Sequence, residues 1–311
     1  MPMVSINNLS HRYGDRLALK SVSLHIDAGK IFGFVGPNGG GKTTLFKILS
    51  TLLKPISENV PHIEISGTSI MEDPDGARRC LGVVFQAPSL DKKLSVYENL
   101  KYQAYLYGMK GALLSQRVAD VLERMHLTER KAERVETLSG GLKRRCEIAK
   151  ALLHQPKILL LDEPTTGLDP GMRLEIWNLL KTLQITDRVT SLISTHLMEE
   201  AEKCDEIVIL HEGRMVAQGT AETLRHEILG DILTIKTAVV KKLQDFIETK
   251  YQIQCHSGEG WLRVEHPSAK TIMMELSETA PVPIDAMTVA RPTLEDVFLR
   301  KTGQRFHEEK P

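Results

Sequence analysis

Ile31-Phe32-Gly33-Phe34-Val35-Gly36-Pro37-Asn38-Gly39-Gly40-Gly41-Lys42-Thr43-Thr44 is the stretch that decides the fold of this chain. An apolar run of strand character, residues 31–35, enters a glycine-rich turn. The turn opens on a helical pattern over residues 42–53, with Leu45, Ile48, Leu49 and Leu52 on one face. It fits G-x-x-x-x-G-K-[ST], the phosphate loop, in the strand-to-helix context that motif requires. Glycines let the backbone fold tightly, so that its N–H groups point at phosphate oxygens, and the helix N-terminus adds partial positive charge. Lys42 is placed to reach the β- and γ-phosphates of a nucleotide, and the Thr43 hydroxyl to hold Mg²⁺.

Outward from this loop, short strand-like runs precede it (residues 3–9 and 21–26), separated by turns such as Tyr13-Gly14-Asp15. Residues 95–153 read as mostly helical. Strands and helices then alternate, with strands at 158–161, 190–194 and 206–210 and helices at 172–183 and 197–203. This alternation predicts an α/β core with a mostly parallel sheet covered by helices. Near residue 222 the pattern changes to a small α+β tail. It has strands at 232–237, 261–265 and 287–290, and helices at 241–250, 268–278 and 294–301. The expected domains are residues 1–222 and 223–311, with a polar, frayed end from about Gln304.

Bulk properties set limits. At 311 residues the chain exceeds one ordinary compact domain. Lys plus Arg and Asp plus Glu both number 40, and this zero formal charge weighs against a non-specific nucleic-acid or membrane-surface binder. Cys80, Cys146, Cys204 and Cys255 share no metal or redox spacing and are expected as reduced thiols. The N-terminal stretch lacks the apolar core of a signal peptide. The apolar runs fall far short of the about 18 residues that span a bilayer, so the chain is expected in the cytoplasm, with any membrane supplied by a partner.

Other strand ends carry candidate chemistry. Asp162 and Glu163 follow the apolar run 158–161, at the strand terminus where open α/β sheets place their ligands. Asp162 suits a Mg²⁺ contact through water, and Glu163 suits the acceptance of a proton from an attacking water. His196, after the run 190–194, fits a γ-phosphate contact, and Gln86, after the run 81–85, fits a ligand to Mg²⁺ and a water-positioning amide. Leu138-Ser139-Gly140-Gly141 precedes a second helix with a bare N-terminus and Ser139 as its N-cap. One nucleotide needs only one such terminus, so the second is expected to serve a partner's nucleotide.

Taken together, these residues resemble the nucleotide-binding subunit of an ATP-binding cassette (ABC) transporter over residues 3–220. In that resemblance Tyr13 is the aromatic that stacks on adenine, and Gly36 to Thr43 form the phosphate-binding Walker A loop, with Thr44 a further nucleotide-binding residue. Gln86 is the Q-loop, residues 138–141 are the signature, Asp162 and Glu163 end the Walker B strand, Gly167-Leu168-Asp169 is the D-loop and His196 is the switch histidine. The resemblance implies a P-loop NTPase core with a RecA-like sheet, an N-terminal antiparallel β subdomain and a helical subdomain at about 90–155. It implies a head-to-tail dimer, most simply a homodimer, with ATP and Mg²⁺ between Walker A of one protomer and Ser139, Gly140 and Gly141 of the other. Glu163, His196 and Gln86 would be catalytic, and residues 87–111 would receive an integral membrane permease, which puts the chain on the inner face of the cell membrane.

Two positions depart from the family pattern: Gly40, where Ala, Ser or Cys is usual, and Leu142, where Gln is usual. The run Lys143-Arg144-Arg145 reads as a solvated helix face, and no nucleic-acid partner is expected. The tail sequence Arg291-Pro292-Thr293-Leu294-Glu295-Asp296-Val297-Phe298 resembles bacterial drug and polysaccharide exporter ATPases of the daunorubicin-resistance type. It implies an export ATPase whose tail supports dimerisation or regulation. An import ATPase with a regulatory tail and a non-transport ABC ATPase remain the alternatives.

Overall fold

The computed structural model describes residues 2–56, 61–304 and 306. It separates into two compact units, one ending at Gln218 and one beginning at Gly219. The division precedes the expected junction at 222 because helix α8 (Ala221–His226) packs on a helix of the second unit.

In the first unit, β1 (Val4–Tyr13) and β2 (Arg16–Ile26) form a hairpin joined by Gly14 and Asp15. Gly14 has φ 56, which suits a two-residue hairpin turn and sets Tyr13 directly opposite Arg16. β3 (Ile31–Val35) leads into α1 (Lys42–Leu49). β4 (His62–Ile65) and β5 (Thr68–Ser69) then extend the hairpin into a four-stranded antiparallel sheet ordered β2-β1-β4-β5. α1 stops four residues before the expected end at 53: Thr51 takes φ 61, and Leu52, placed on the apolar face by periodicity, is 68% exposed. Leu45, Ile48 and Leu49 are fully buried, in one core with Val4, Ile6, Leu24 and Ile63 of the antiparallel sheet.

The chain continues through α2 (Pro74–Arg79), β6 (Leu81–Val84), α3 (Val96–Leu106), α4 (Gly111–Arg124) and α5 (Gly140–Leu152). A capping box between Ser95 and Glu98 starts α3, and α3, α4 and α5 pack on one another. Then come β7 (Ile158–Asp162), α6 (Pro170–Asp187), β8 (Thr190–Thr195), α7 (Met198–Ala201), β9 (Glu206–His211) and β10 (Arg214–Gly219). The central six-stranded sheet has the order β10-β9-β3-β8-β7-β6, and its neighbours from β9 to β6 run parallel. Every residue of β3, β7 and β8 is buried, as in a parallel sheet covered on both faces. Register places Val35 beside Thr195 and Asp162 beside Ser194, so the segments after these strands leave the sheet at one edge.

The basic run 143–145 is not a solvated face. Arg144 is buried, and Arg145 is paired with Glu175. Their positions on α5 turn them toward β7 and α6 instead of toward water. Cys146 and Cys204 are buried free thiols, and burial pushes the Cys146 pKa up to about 12.

The second unit carries β11 (Asp231–Lys236), α9 (Val240–Tyr251), β12 (Cys255–Gly258), β13 (Trp261–His266), α10 (Ala269–Thr279), β14 (Ala286–Ala290) and α11 (Leu294–Thr302). The four strands form an antiparallel sheet ordered β12-β13-β11-β14. This is the βαββαβ ferredoxin-like arrangement, with α8 and α11 added. The short polar strand β12 escapes pattern reading. α9 and α10 bury Leu243, Ile247, Ile272 and Leu276 against Leu233, Ile235, Leu262 and Val264.

The quoted tail sequence builds α11: Thr293 and Asp296 form a capping box, Leu294, Val297 and Phe298 are buried, and Gly303 ends the helix at φ 71. The end expected to fray from Gln304 lies largely outside the described residues. Phe306 is buried edge-on against Phe298 at 5.0 Å.

Candidate functional site

At Gly36, Gly40 and Gly41 the neighbouring backbone leaves little or no room for a side chain. A Cβ on Gly36 would stand 2.1 Å from the Leu210 carbonyl oxygen. Gly41 takes φ 107, and a Cβ there would stand 2.8 Å from the Ala18 carbonyl oxygen. Gly40 fits the same constraint, since a Cβ would meet the Leu210 and Pro37 carbonyl oxygens at 3.0 Å each. α1 begins here with no side-chain cap and no acidic residue in its first turn, which leaves its N–H groups and dipole free for an anion.

Lys42 is 5% exposed, and its Nζ donates to the carbonyls of Gly36 at 2.6 Å and Pro37 at 3.0 Å. Burial lowers its pKa, and the nearby charges of Glu163 and Asp162 oppose that shift. The ammonium therefore sits beside two carboxylates at the sheet edge.

Above the loop lies an open cleft of about 700 Å³. Tyr13 stands at one end, 48% exposed and edge-on to the buried His11 ring, with centroids 4.7 Å apart. Asn38, Gly39, Gly40, Gly41, Lys42, Thr43 and Thr44 form the floor, and Gln86, Glu163 and His196 form the far wall. Arg16, Ala18 and Thr166 also line the cleft and were not singled out from the sequence. Arg16 is there because the hairpin register sets it opposite Tyr13, a signal that the two-residue turn could have given.

The far wall is organised around Glu163. This residue follows β7 with φ 48, and its N–H donates to the Ser194 hydroxyl at 2.9 Å. Its carboxylate accepts from Gln86 Nε2 at 3.4 Å and from the Thr166 hydroxyl at 3.1 Å. His196 Nδ1 stands 3.3 Å from Glu163 Oε1, an approach without hydrogen-bond alignment. Asp162 lies beneath, 2% exposed, accepting from the Ser194 hydroxyl at 2.5 Å. Behind His196, the buried Glu200 accepts from Thr195 at 2.7 Å and from Thr165, tying α7 to the segment after Glu163.

Ser139, Gly140, Gly141 and Asp169 do not line this cleft. Ser139 caps α5 by accepting from Leu142 N–H at 3.3 Å, and Asp169 caps α6 by accepting from Met172 N–H at 3.0 Å. These four residues lie together, since a Cβ on Gly140 would touch Leu168 at 3.5 Å and one on Gly141 would collide with Met172. The unit thus carries one loop that faces its own cleft and a second glycine-rich helix N-terminus, capped by Ser139, outside it.

The profile of the ABC transporter family matches residues 19–166. Nod factor export ATP-binding protein I of Ralstonia nicotianae is 34% identical over 99% of this chain and 96% of its own length. This chain belongs to the ABC transporter family. Daunorubicin resistance ATP-binding protein DrrA3 of Streptomyces coeruleorubidus is 33% identical over 96% of each chain. Linearmycin resistance ATP-binding protein LnrL of Bacillus subtilis is 32% identical over 98% of this chain and all of its own length. Among solved structures, cbiO1 of Clostridium perfringens, part of an ABC transporter complex, matches with TM-score 0.67 and 29% identity over 81% of this chain and 96% of its own. The ATP-binding cassette MJ0796, solved as a dimer in a post-hydrolysis state with ADP and Pi, matches with TM-score 0.62 and 30% identity over 70% of this chain and 98% of its own. This ABC ATPase is an ATP-binding, ATP-hydrolysing subunit of an exporter. Among its described residues no helix is long and apolar enough to cross a membrane.

Proposed function

We propose that this ABC ATPase hydrolyses ATP at a composite site formed by two copies paired head to tail. Each nucleotide lies on residues 36–44 of one copy and is closed by Ser139, Gly140 and Gly141 of the other. The observation that carries the reading is the convergence of Glu163, Gln86 and His196 on the cleft whose floor is Lys42 and Thr43. A second anion-binding helix terminus that lies outside its own cleft has a use only in a partner copy.

Tyr13 stacks on adenine, while Lys42, the loop N–H groups and the α1 N-terminus hold the phosphates. The Glu163 carboxylate takes a proton from water as its oxygen bonds to the γ-phosphorus and the bond to the β-phosphate oxygen breaks. Gln86 and His196 orient that water and the γ-phosphate. Thr43, Gln86 and Asp162 supply hydroxyl, amide and carboxylate oxygens, a donor set that fits Mg²⁺. Thr43 and Gln86 are exposed at the cleft, and among the described residues no cluster of His, Cys, Asp and Glu competes for a metal. When bound, the ion would offset phosphate charge.

Residues 87–111 receive a membrane permease, which holds the ATPase at the inner membrane face and selects the cargo. Relatives named for Nod factor export and for daunorubicin and linearmycin resistance support an exported cargo. The ferredoxin-like unit supports the dimer or its regulation, and no nucleic acid takes part.

Size-exclusion chromatography with and without Mg-ATP tests the composite site. Glu163→Gln should bind ATP, lose hydrolysis by about 10²–10⁴-fold and elute as an ATP-dependent dimer. Adding Ser139→Arg should abolish the dimer and leave ATP binding by the monomer. A double variant that still dimerises would overturn the reading.

A further inference from the structure

Arg144, three residues after the signature glycines, is 8% exposed. A guanidinium has five N–H donors in a rigid planar fork, and here each has an acceptor. Nε donates to Pro164 O at 2.8 Å, and Nη1 donates to Phe85 O and Glu147 Oε2, both at 2.8 Å. Nη2 donates to Asp162 O at 3.1 Å and Glu163 O at 3.2 Å. Three consecutive carbonyls, of residues 162, 163 and 164, are therefore fixed by one side chain. The central one belongs to Glu163, whose backbone is held at φ 48, in the left-handed region that a side chain with a Cβ disfavours.

The same face of α5 holds the other side of the wall. Glu147 Oε1 accepts from Ser89 N–H at 2.9 Å, and Lys150 Nζ donates to Ser89 O at 2.7 Å. With the Arg144 contact to Phe85 O, both ends of the segment bearing Gln86 are tied to α5. A surface role for Arg144 explains none of this. A buried cation with a single counter-charge is a poor way to gain stability, so its place in the fold calls for a positional explanation.

We infer that Arg144 is a positioning residue for hydrolysis, setting the backbone from which the Glu163 carboxylate and the Gln86 amide meet. The inference rests on the reading of Glu163 as the proton acceptor. It adds that the helix capped by Ser139, which serves the partner's nucleotide, also fixes the geometry of its own protomer's base. The two sites of a dimer are thereby mechanically joined through α5.

The test compares the full-length wild type with Arg144→Lys and Arg144→Met. Steady-state ATP hydrolysis gives kcat and KM, and calorimetry with a non-hydrolysable ATP analogue gives affinity and stoichiometry. Arg144→Met should keep stoichiometry, affinity and KM while kcat falls on the order of 10²-fold, as for a misplaced catalytic group. Arg144→Lys keeps the charge with three donors and should recover part of the loss. Wild-type kcat in Arg144→Met overturns the inference. So does a loss that tracks falling stoichiometry, with lysine no better than methionine. If the methionine variant does not fold, Arg144→Lys decides alone: lowered kcat at unchanged KM supports the inference, and wild-type kcat overturns it. Wild-type hydrolysis in Glu163→Gln would instead remove the assignment of the base, a separate and distinguishable failure.

Discussion

Gln86 Nε2 lies 3.4 Å from Glu163 Oε2, although 77 residues separate the two in sequence. The amide supplies a neutral donor to the carboxylate proposed as the proton acceptor. Gln86→Ala should lower kcat by about 10-fold, since an orienting contact and one oxygen of the proposed Mg²⁺ site are lost. Gln86→Glu is the more informative variant. A second carboxylate there replaces a donor with an acceptor and repels Glu163, so the contact is lost. Its kcat should fall below that of Gln86→Ala, and an equal kcat would separate Gln86 from the proposed base.

Lys42 is a buried cation that carries a cost in stability. On the proposed phosphate contact, Lys42→Met should weaken ATP binding by at least about 10²-fold. Its folded pKa is lowered from 10.5, chiefly by burial. The cost of burying the charged form is therefore full below the folded pKa and is relieved as pH rises toward 10.5. Without nucleotide, Lys42→Met should be at least as stable as the wild type near neutral pH. The gap in Tm should narrow as pH rises, and thermal scans with pH show whether it does.

Tyr13 is half exposed and braced edge-on by His11. Stacking on adenine is worth about 0.5–1.5 kcal/mol, so Tyr13→Ala should weaken ATP binding several-fold. Tyr13→Phe and Tyr13→Trp should not. Equal losses in all three variants, read by calorimetry, would rule out stacking.

Asp296 anchors the second unit twice. It closes the capping box of α11, and its carboxylate lies 2.6 Å from Arg263 Nη1 on β13 while only 4% exposed. Asp296→Ala removes a cap and strands a partly buried arginine, a destabilisation of about 2–4 kcal/mol. Loss should be confined to the second unit, with nucleotide binding retained. Denaturant melting followed by Trp261 fluorescence, alongside ATP calorimetry, reads both quantities.

Local chemistry made much of this protein legible. The loop of residues 36–44 is contiguous, and its glycines, lysine and hydroxyl stand within one turn, so its conformation could be read directly. Buried parallel strands are apolar along their whole length, which marked β3, β7 and β8 and showed which polar residues follow their ends. The tail's α11 was equally plain, because its capping box, apolar face and terminal glycine are all local.

What the tertiary structure alone decided are relationships between distant segments. The strand order β10-β9-β3-β8-β7-β6 brings Gln86, Glu163 and His196 together, and no local pattern encodes that order. β12, short and polar, joins its sheet only through pairing with β13. Arg144 shows the limit most clearly. A cation in a run of three basic residues is ordinarily solvated, and only the packing of α5 against the end of β7 gives all five donors acceptors away from water. Helix and strand propensities act over a few residues, whereas burial of a charge depends on which distant carbonyls the fold delivers to it.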